Sequence, residues 1–209
     1  MKSFDELLQT SVERHGHLCA GQVIGVRMAM LGCRLIGIDD PQAPENRKKL
    51  MVFVEIDRCA TDALESVTGC RMGKRTLKFR DFGINAATFV HLETGQAFRI
   101  VSTEASRELA ARYAPDETDP GRQQLRGYRC MPDELLFDVR KVEVHLPEWD
   151  MPGPPRRHAV CERCGQMVRD GREKRMDGLT LCRPCAGEGY FRILPDQNLH
   201  GEPAKEAIR

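Results

Sequence analysis

Two cysteine pairs carry the clearest chemistry in the chain. Cys161-Glu162-Arg163-Cys164 is followed, after seventeen intervening residues, by Cys182-Arg183-Pro184-Cys185. Two Cys-x2-Cys pairs about 15–20 residues apart have the spacing of a structural zinc site. Zinc takes four soft or borderline ligands at the corners of a tetrahedron, and two such turns supply two thiolates each. Gly165 follows the first pair, where the turn calls for a positive φ. One pair alone would suit a redox dithiol equally well; two at this spacing argue for the metal. Such a module explains how the C-terminal segment folds and does not by itself name a function.

A second group lies near the N-terminus. His15-Gly16-His17-Leu18-Cys19 places three metal-capable side chains within five residues. In an extended stretch all three share one face; in a helix only residues 15 and 19 do. Cys19 precedes a long apolar helical pattern, where the helix dipole and free N–H groups favour a thiolate. Cys59 repeats the arrangement at a strand-to-helix junction, with Asp62 one turn later to orient a ligand or a water. Thr68-Gly69-Cys70-Arg71-Met72-Gly73-Lys74 adds a two-glycine loop bearing a thiol and a cation. The expected core site is therefore His17, Cys19 and Cys59, with His15 and Cys70 as reserve ligands. Asp62 and Lys74 are expected to support the ligands or bind substrate, and Cys59 is the candidate catalytic group. A mixed His/Cys donor set suits zinc, iron or nickel over magnesium or calcium. Two or three protein ligands leave an open position, as in catalytic or sensing sites. Nucleophilic Cys–His chemistry is an alternative use of the same residues. The bland reading treats Cys19, Cys59 and Cys70 as small buried hydrophobes; Cys33 and Cys130 are assigned to packing.

Positioning these groups requires a regular scaffold. Phe4–Arg14 reads as an amphipathic helix, and Val23, Ile24, Met28, Leu31 and Leu35 mark a buried helix over Ala20–Ile36. Gly21, Gly25 and Gly32 inside that pattern fit close helix packing rather than a nucleotide loop. Leu50–Ile56 is a continuous apolar run, expected to be an interior strand, and a helix follows from Asp57 or Cys59 to Val67. Thr76–Phe82 alternates as a strand. Ala87–Leu92 and Ala97–Val101 flank a hairpin turn. Glu104–Tyr113 reads as a helix, 115–127 as a polar loop, 132–137 as a short helix and Val139–Leu146 as a final strand. The expectation is an α+β fold with a largely antiparallel sheet, plus a small C-terminal treble-clef or zinc-ribbon module. Its parts are a core over 1–146, a Pro-rich linker over 147–157, the finger over 158–192 and a polar tail over 193–209.

Bulk composition narrows the function. A net charge of +1 argues against nucleic acid as an obligate partner. The finger from Arg156 to Arg192 is mildly basic, with nine Lys/Arg against five Asp/Glu, but lacks interleaved aromatics. Nine cysteines, four of them assigned to zinc, leave an odd remainder that favours a reducing compartment, hence the cytoplasm. No run approaches the ~18 apolar residues needed to span a membrane.

Taken together, these residues resemble the FmdE family of formylmethanofuran dehydrogenase proteins. The matching pieces are residues 15–21 with 25–29, then Glu55, Cys59–Ala63, Thr68–Lys74, Asp81-Phe82-Gly83 and 86–89. The resemblance covers about residues 10–105. It implies an α+β core with a metal-binding cleft, an auxiliary treble-clef zinc finger, frequent homodimers, and association with a molybdenum or tungsten enzyme handling a one-carbon unit. Ala20 stands where the family motif has Pro, and Ile84 where it has Lys; the second change removes a contact to an anionic group. Three functions follow as expectations. The first is a metal-binding accessory to a molybdenum or tungsten redox enzyme or its cofactor handling. The second is a metalloenzyme using the Cys/His core site on a small substrate. The third is a zinc-finger adaptor for protein or nucleic acid.

Overall fold

In a computed structural model, which describes residues 1–193, the chain divides into two compact units, Met1–Gly153 and a C-terminal unit from Pro154. The first begins with two helices, α1 (Phe4–His15) and α2 (Ala20–Leu35). Ser3 and Glu6 form a reciprocal capping box on α1, and Gly16, at φ 95°, ends it in a left-handed turn. The sheet and remaining helices follow as β1 (Leu50–Val54), α3 (Cys59–Thr68), β2 (Leu77–Phe79), β3 (Ala86–His91), β4 (Ala97–Ser102), α4 (Ala105–Tyr113), α5 (Pro120–Cys130), α6 (Asp133–Leu136) and β5 (Phe137–Lys141).

The five strands run in the order β2-β1-β3-β4-β5. Three of the four pairings are antiparallel, as the sequence predicts. The exception is β1 with β2, which is parallel and joined through α3. This crossover sets α3 against α2, so two helices begin side by side at one end of the core. The apolar run of β1 is buried because both faces of the sheet are covered. On one face α2 contributes Val23, Val26 and Met28, none of them exposed, to the main core. On the other, Met51, Val90 and Ala97 are covered by Val142, Val144 and Leu146.

Three expectations change. Residues 115–127 are not all loop: Asp119 caps α5 through Arg122 N–H (2.8 Å), Pro120 starts it, and Tyr128 is buried in the core. The polar average of the segment masks its one apolar stripe. The last strand stops at Lys141 rather than Leu146. The alternation beyond it is a chain segment that leaves the sheet edge and covers the second face. The Pro-rich segment is held to the core in its first half. Asp150 is buried, and its carboxylate accepts from Lys78 Nζ (2.9 Å) and from Arg80 (3.3 Å). Arg75 donates to the carbonyls of Trp149 and Met151.

The C-terminal unit contains two short hairpins, β6 (His158–Val160) with β7 (Met167–Arg169) and β8 (Lys174–Met176) with β9 (Leu179–Leu181), then a helical turn at Pro184–Glu188. Its buried core is Cys161, Leu181 and Cys182. Of the expected polar tail, residues 194–209 lie outside the described residues. Among the described residues no helix is long and apolar enough to cross a membrane.

Candidate metal centres

In the C-terminal unit, Cys161 leaves β6 and Cys182 leaves β9, while Cys185 lies in the helical turn. Gly165, at φ 73°, closes the first cysteine turn with its N–H on the Cys161 carbonyl (2.8 Å). The four sulfur atoms lie within 4.8 Å of one another. Cys164 and Cys182 are 3.7 Å apart, against about 3.8 Å for two sulfurs on a zinc tetrahedron. The Cys161 thiol is held down to about 6, chiefly by hydrogen bonding to the Cys182 backbone. The Cys185 thiol is pushed up to about 12, chiefly by the Cys182 thiol. Four thiols this close ionise together only with a cation among them, and an all-sulfur tetrahedron fits zinc.

The core cluster is built by the two helix starts. His15 is the last residue of α1; Gly16 breaks the helix, and Cys19 has extended backbone at the N-cap of α2. One ligand atom from each of His15, His17 and Cys19 falls within 4.8 Å of the others. His15 Nε2 is 4.0 Å from Cys19 Sγ, close to the about 3.6 Å that N and S ligands adopt on a shared metal. The opposite ring nitrogen, Nδ1, meets Asp62 Oδ2 at 2.7 Å. That carboxylate selects the tautomer with a proton on Nδ1 and leaves the Nε2 lone pair facing Cys19. Carboxylates behind metal-bound histidines do the same. His15 thus belongs with the front-rank candidates rather than the reserve.

Cys59 opens α3 beside this cluster. Its thiol interacts with that of Cys19, and burial followed by this neighbour raises its pKa. The expectation that the helix start lowers it is therefore reversed: desolvation and a second thiol outweigh the dipole. Cys70 lies at the far end of the ten-residue α3, about 15 Å along its axis. Its buried thiol points at the Leu50 carbonyl (3.8 Å), and burial raises its pKa. Cys70 is a packing residue of the core and not a reserve ligand. Lys74 stands at that same far end, lining a separate cavity with Gly69 and Cys70. Asp62 and Lys74, grouped by sequence, therefore serve different places.

Glycines and one glutamine make the approach of the two helix starts possible. A Cβ on Gly21 would lie 2.8 Å from Cys59 Cβ. Fully buried Gln22 donates to the Cys59 carbonyl (2.6 Å) and accepts from Ser11 of α1, tying three helices together at the cluster. Sequence reasoning missed Gln22; a polar residue on the buried stripe of α2 was the available signal. Glu55, part of the family pattern, is buried in a two-point pair with Arg99 (2.7 and 2.6 Å) and does not face the cluster's ligands.

Known proteins resemble the chain over both units. A crystal structure of an FmdE-like protein of tungsten formylmethanofuran dehydrogenase, from Syntrophus aciditrophicus, superimposes with a TM-score of 0.58. The match covers 91% of this chain and 96% of that one at 19% identity, which shows a shared fold. A probable S-adenosyl-L-methionine-binding protein of Archaeoglobus fulgidus is 30% identical over 207 residues, covering 88% of this chain. The chain spans about half of that relative, 53% of its length. Residues 154–190 match the prokaryotic dksA/traR C4-type zinc finger. Residues 14–143, more than half of the chain, match the model described as FmdE, molybdenum formylmethanofuran dehydrogenase operon, so the chain belongs to the FmdE family and carries a four-cysteine zinc finger at its C-terminal side.

Proposed function

We propose that the core unit binds one transition metal ion (zinc, iron or nickel) through His15, His17 and Cys19, with Cys59 beside them. The observation that carries this is the convergence of three ligand atoms within 4.8 Å, backed by Asp62 on His15. His17 and Asp62 are exposed, so the site opens to solvent and leaves room for a further ligand. A bound ion there would act as a Lewis acid or a soft-ligand anchor. The chain's own residues orient the imidazole, hold two thiols together and keep one side of the site open.

Metal content tests this. Wild-type protein is expected to hold about two metal equivalents, one per cluster. His15→Ala/His17→Ala should retain only the finger's ion, and cobalt-substituted protein should lose one of two sets of visible bands. Equal metal content in wild type and variant would reject the core site.

The working role is that of an accessory to a molybdenum or tungsten redox enzyme or to its cofactor handling, as membership of a family named for the molybdenum formylmethanofuran dehydrogenase operon suggests. A metalloenzyme using Cys59 is the second reading. It is favoured by the partial exposure of that thiol next to the ligands. Cys59→Ser separates them: retained metal leaves Cys59 free for chemistry, whereas lost metal makes Cys59 the ligand that closes the coordination. The S-adenosylmethionine named for the A. fulgidus relative is not assigned to this chain, because half of that protein has no counterpart here.

A homodimer is part of the same proposal, resting on the Pro-rich joint and the family resemblance. Light scattering should give about twice the chain mass of 23.7 kDa. A mass equal to one chain at every concentration would contradict it.

A further inference from the structure

A cavity of about 930 Å³ lies in the core unit, away from the His/Cys cluster. Its volume is in the range of small-molecule sites. Gly69 and Cys70 mark its place at the C-terminal end of α3, whereas Cys59 and the metal cluster lie at the start of that helix.

The walls are of three kinds. Leu50, Cys70, Leu92 and Met151 supply an aliphatic lining without an aromatic ring. Thr68 and Thr76 are buried polar groups within it. Arg47, Lys48 and Lys74 are exposed and form a cationic rim. The one lining carboxylate, Glu93, is already paired with Lys49 (3.6 Å). Arg47, Lys48 and Lys74 form no ion pair with a carboxylate among the described residues. Three cations left uncompensated around one cavity raise the local potential and draw in anions.

One wall is also fixed in place. Met151, Pro152 and Gly153 come from the segment whose preceding residue, Asp150, is clamped by Lys78 and Arg80. Arg75, between the lining residues Lys74 and Thr76, holds a left-handed backbone (φ 62°) and reaches the Met151 and Trp149 carbonyls. A non-glycine residue in that region costs energy and persists where surrounding structure demands it. Here it braces the wall against the cationic loop, so the cavity is a built feature of the unit.

We propose that this cavity binds a small multiply charged anion with an aliphatic or otherwise apolar body, such as a phosphate ester. The charged end sits at Arg47, Lys48 and Lys74, and the body rests on Leu50, Leu92 and Met151. The site is independent of the metal reading, since it shares no residue with the metal cluster.

Isothermal titration with hexyl phosphate, AMP and pyrophosphate tests it, with adenosine as an uncharged comparison. At least one of the two phosphate esters should bind saturably, more tightly than adenosine and more weakly as salt rises. Lys48→Glu/Lys74→Glu, two exposed positions, should weaken binding about tenfold or more, with an unchanged melting temperature and unchanged metal content. Backbone amide signals of Gly69, Gly73 and Thr76 should shift on titration. The proposal is overturned if neither ester binds saturably, if adenosine binds as tightly as the esters, or if the charge reversal leaves affinity unaltered.

Discussion

Replacing Cys164 by Ser is expected to remove one zinc equivalent and unfold the C-terminal unit while the core unit stays folded. The buried core of that unit consists of Cys161, Leu181 and Cys182. So few side chains cannot offset the conformational entropy of ordering some forty residues, roughly 1–2 kcal/mol each for the backbone. Metal binding in comparable modules supplies on the order of 10 kcal/mol at neutral pH, and that free energy is folding free energy. Losing one thiolate breaks the tetrahedron. It also leaves Cys161, Cys182 and Cys185 with crowded thiols and no shared ion. Trypsin should then cut after Arg169, Arg172, Lys174 and Arg175, which lie on or between the two hairpins, and should leave a resistant fragment covering Met1–Gly153. Zinc analysis and mass spectrometry of the digest provide the readout. A Cys164→Ser protein with undiminished zinc and an uncut C-terminal unit would mean that the four sulfurs do not hold the metal.

How far the sequence revealed these sites depended on how local each one is. The four finger cysteines come as two turns of four residues, so spacing alone is informative. The same holds for His15, His17 and Cys19, which one helix end and one helix start bring together over five residues. Asp62 reaches His15 across 47 residues and Gln22 reaches Cys59 across 37. Contacts of that length follow from how α1, α2 and α3 pack, which no local pattern encodes. Cys70 is misplaced by sequence for the converse reason: it is near Cys59 along the chain, but a rigid helix of ten residues lies between them. Secondary structure is legible where hydrophobic period and punctuation agree, as at α2, β1 and the β3–β4 hairpin. It is obscured at α5, where the Asp119 cap and Pro120 are the signal and the polarity of the segment hides them. The parallel pairing of β1 with β2 within an otherwise antiparallel sheet follows from the α3 crossover and is not written in either strand.

The packing of α2 on α3 leads to the other large expected effect. Gly25→Ala should destabilise the core unit by about 3 kcal/mol or more, lowering its melting temperature by roughly 10 °C. A Cβ at this position would lie 2.5 Å from the Ala60 carbonyl oxygen, 2.6 Å from Ala63 Cβ and 2.9 Å from Ala60 Cα. None of these atoms is the end of a flexible side chain, so a whole helix must move to admit one methyl group. Alanine also gains about 1 kcal/mol over glycine in helix propensity, which opposes the effect and is too small to cancel it. The movement has a chemical consequence. Gly25 lies six residues from Cys19, and Ala60 is next to Cys59, so a shift here separates the two helix starts that frame the metal cluster. The variant should therefore lose core metal while the finger keeps its zinc. Gly37→Ala is the matched comparison: Gly37 has a positive φ of 74° with nothing within 4 Å of its added Cβ. Only backbone strain of about 1 kcal/mol is expected there, with metal content unchanged. Thermal melts and metal analysis of the two variants together separate a general glycine effect from loss of the α2–α3 contact. If Gly25→Ala melts within a degree or two of wild type, the two helices do not approach as closely as the geometry of the cluster requires.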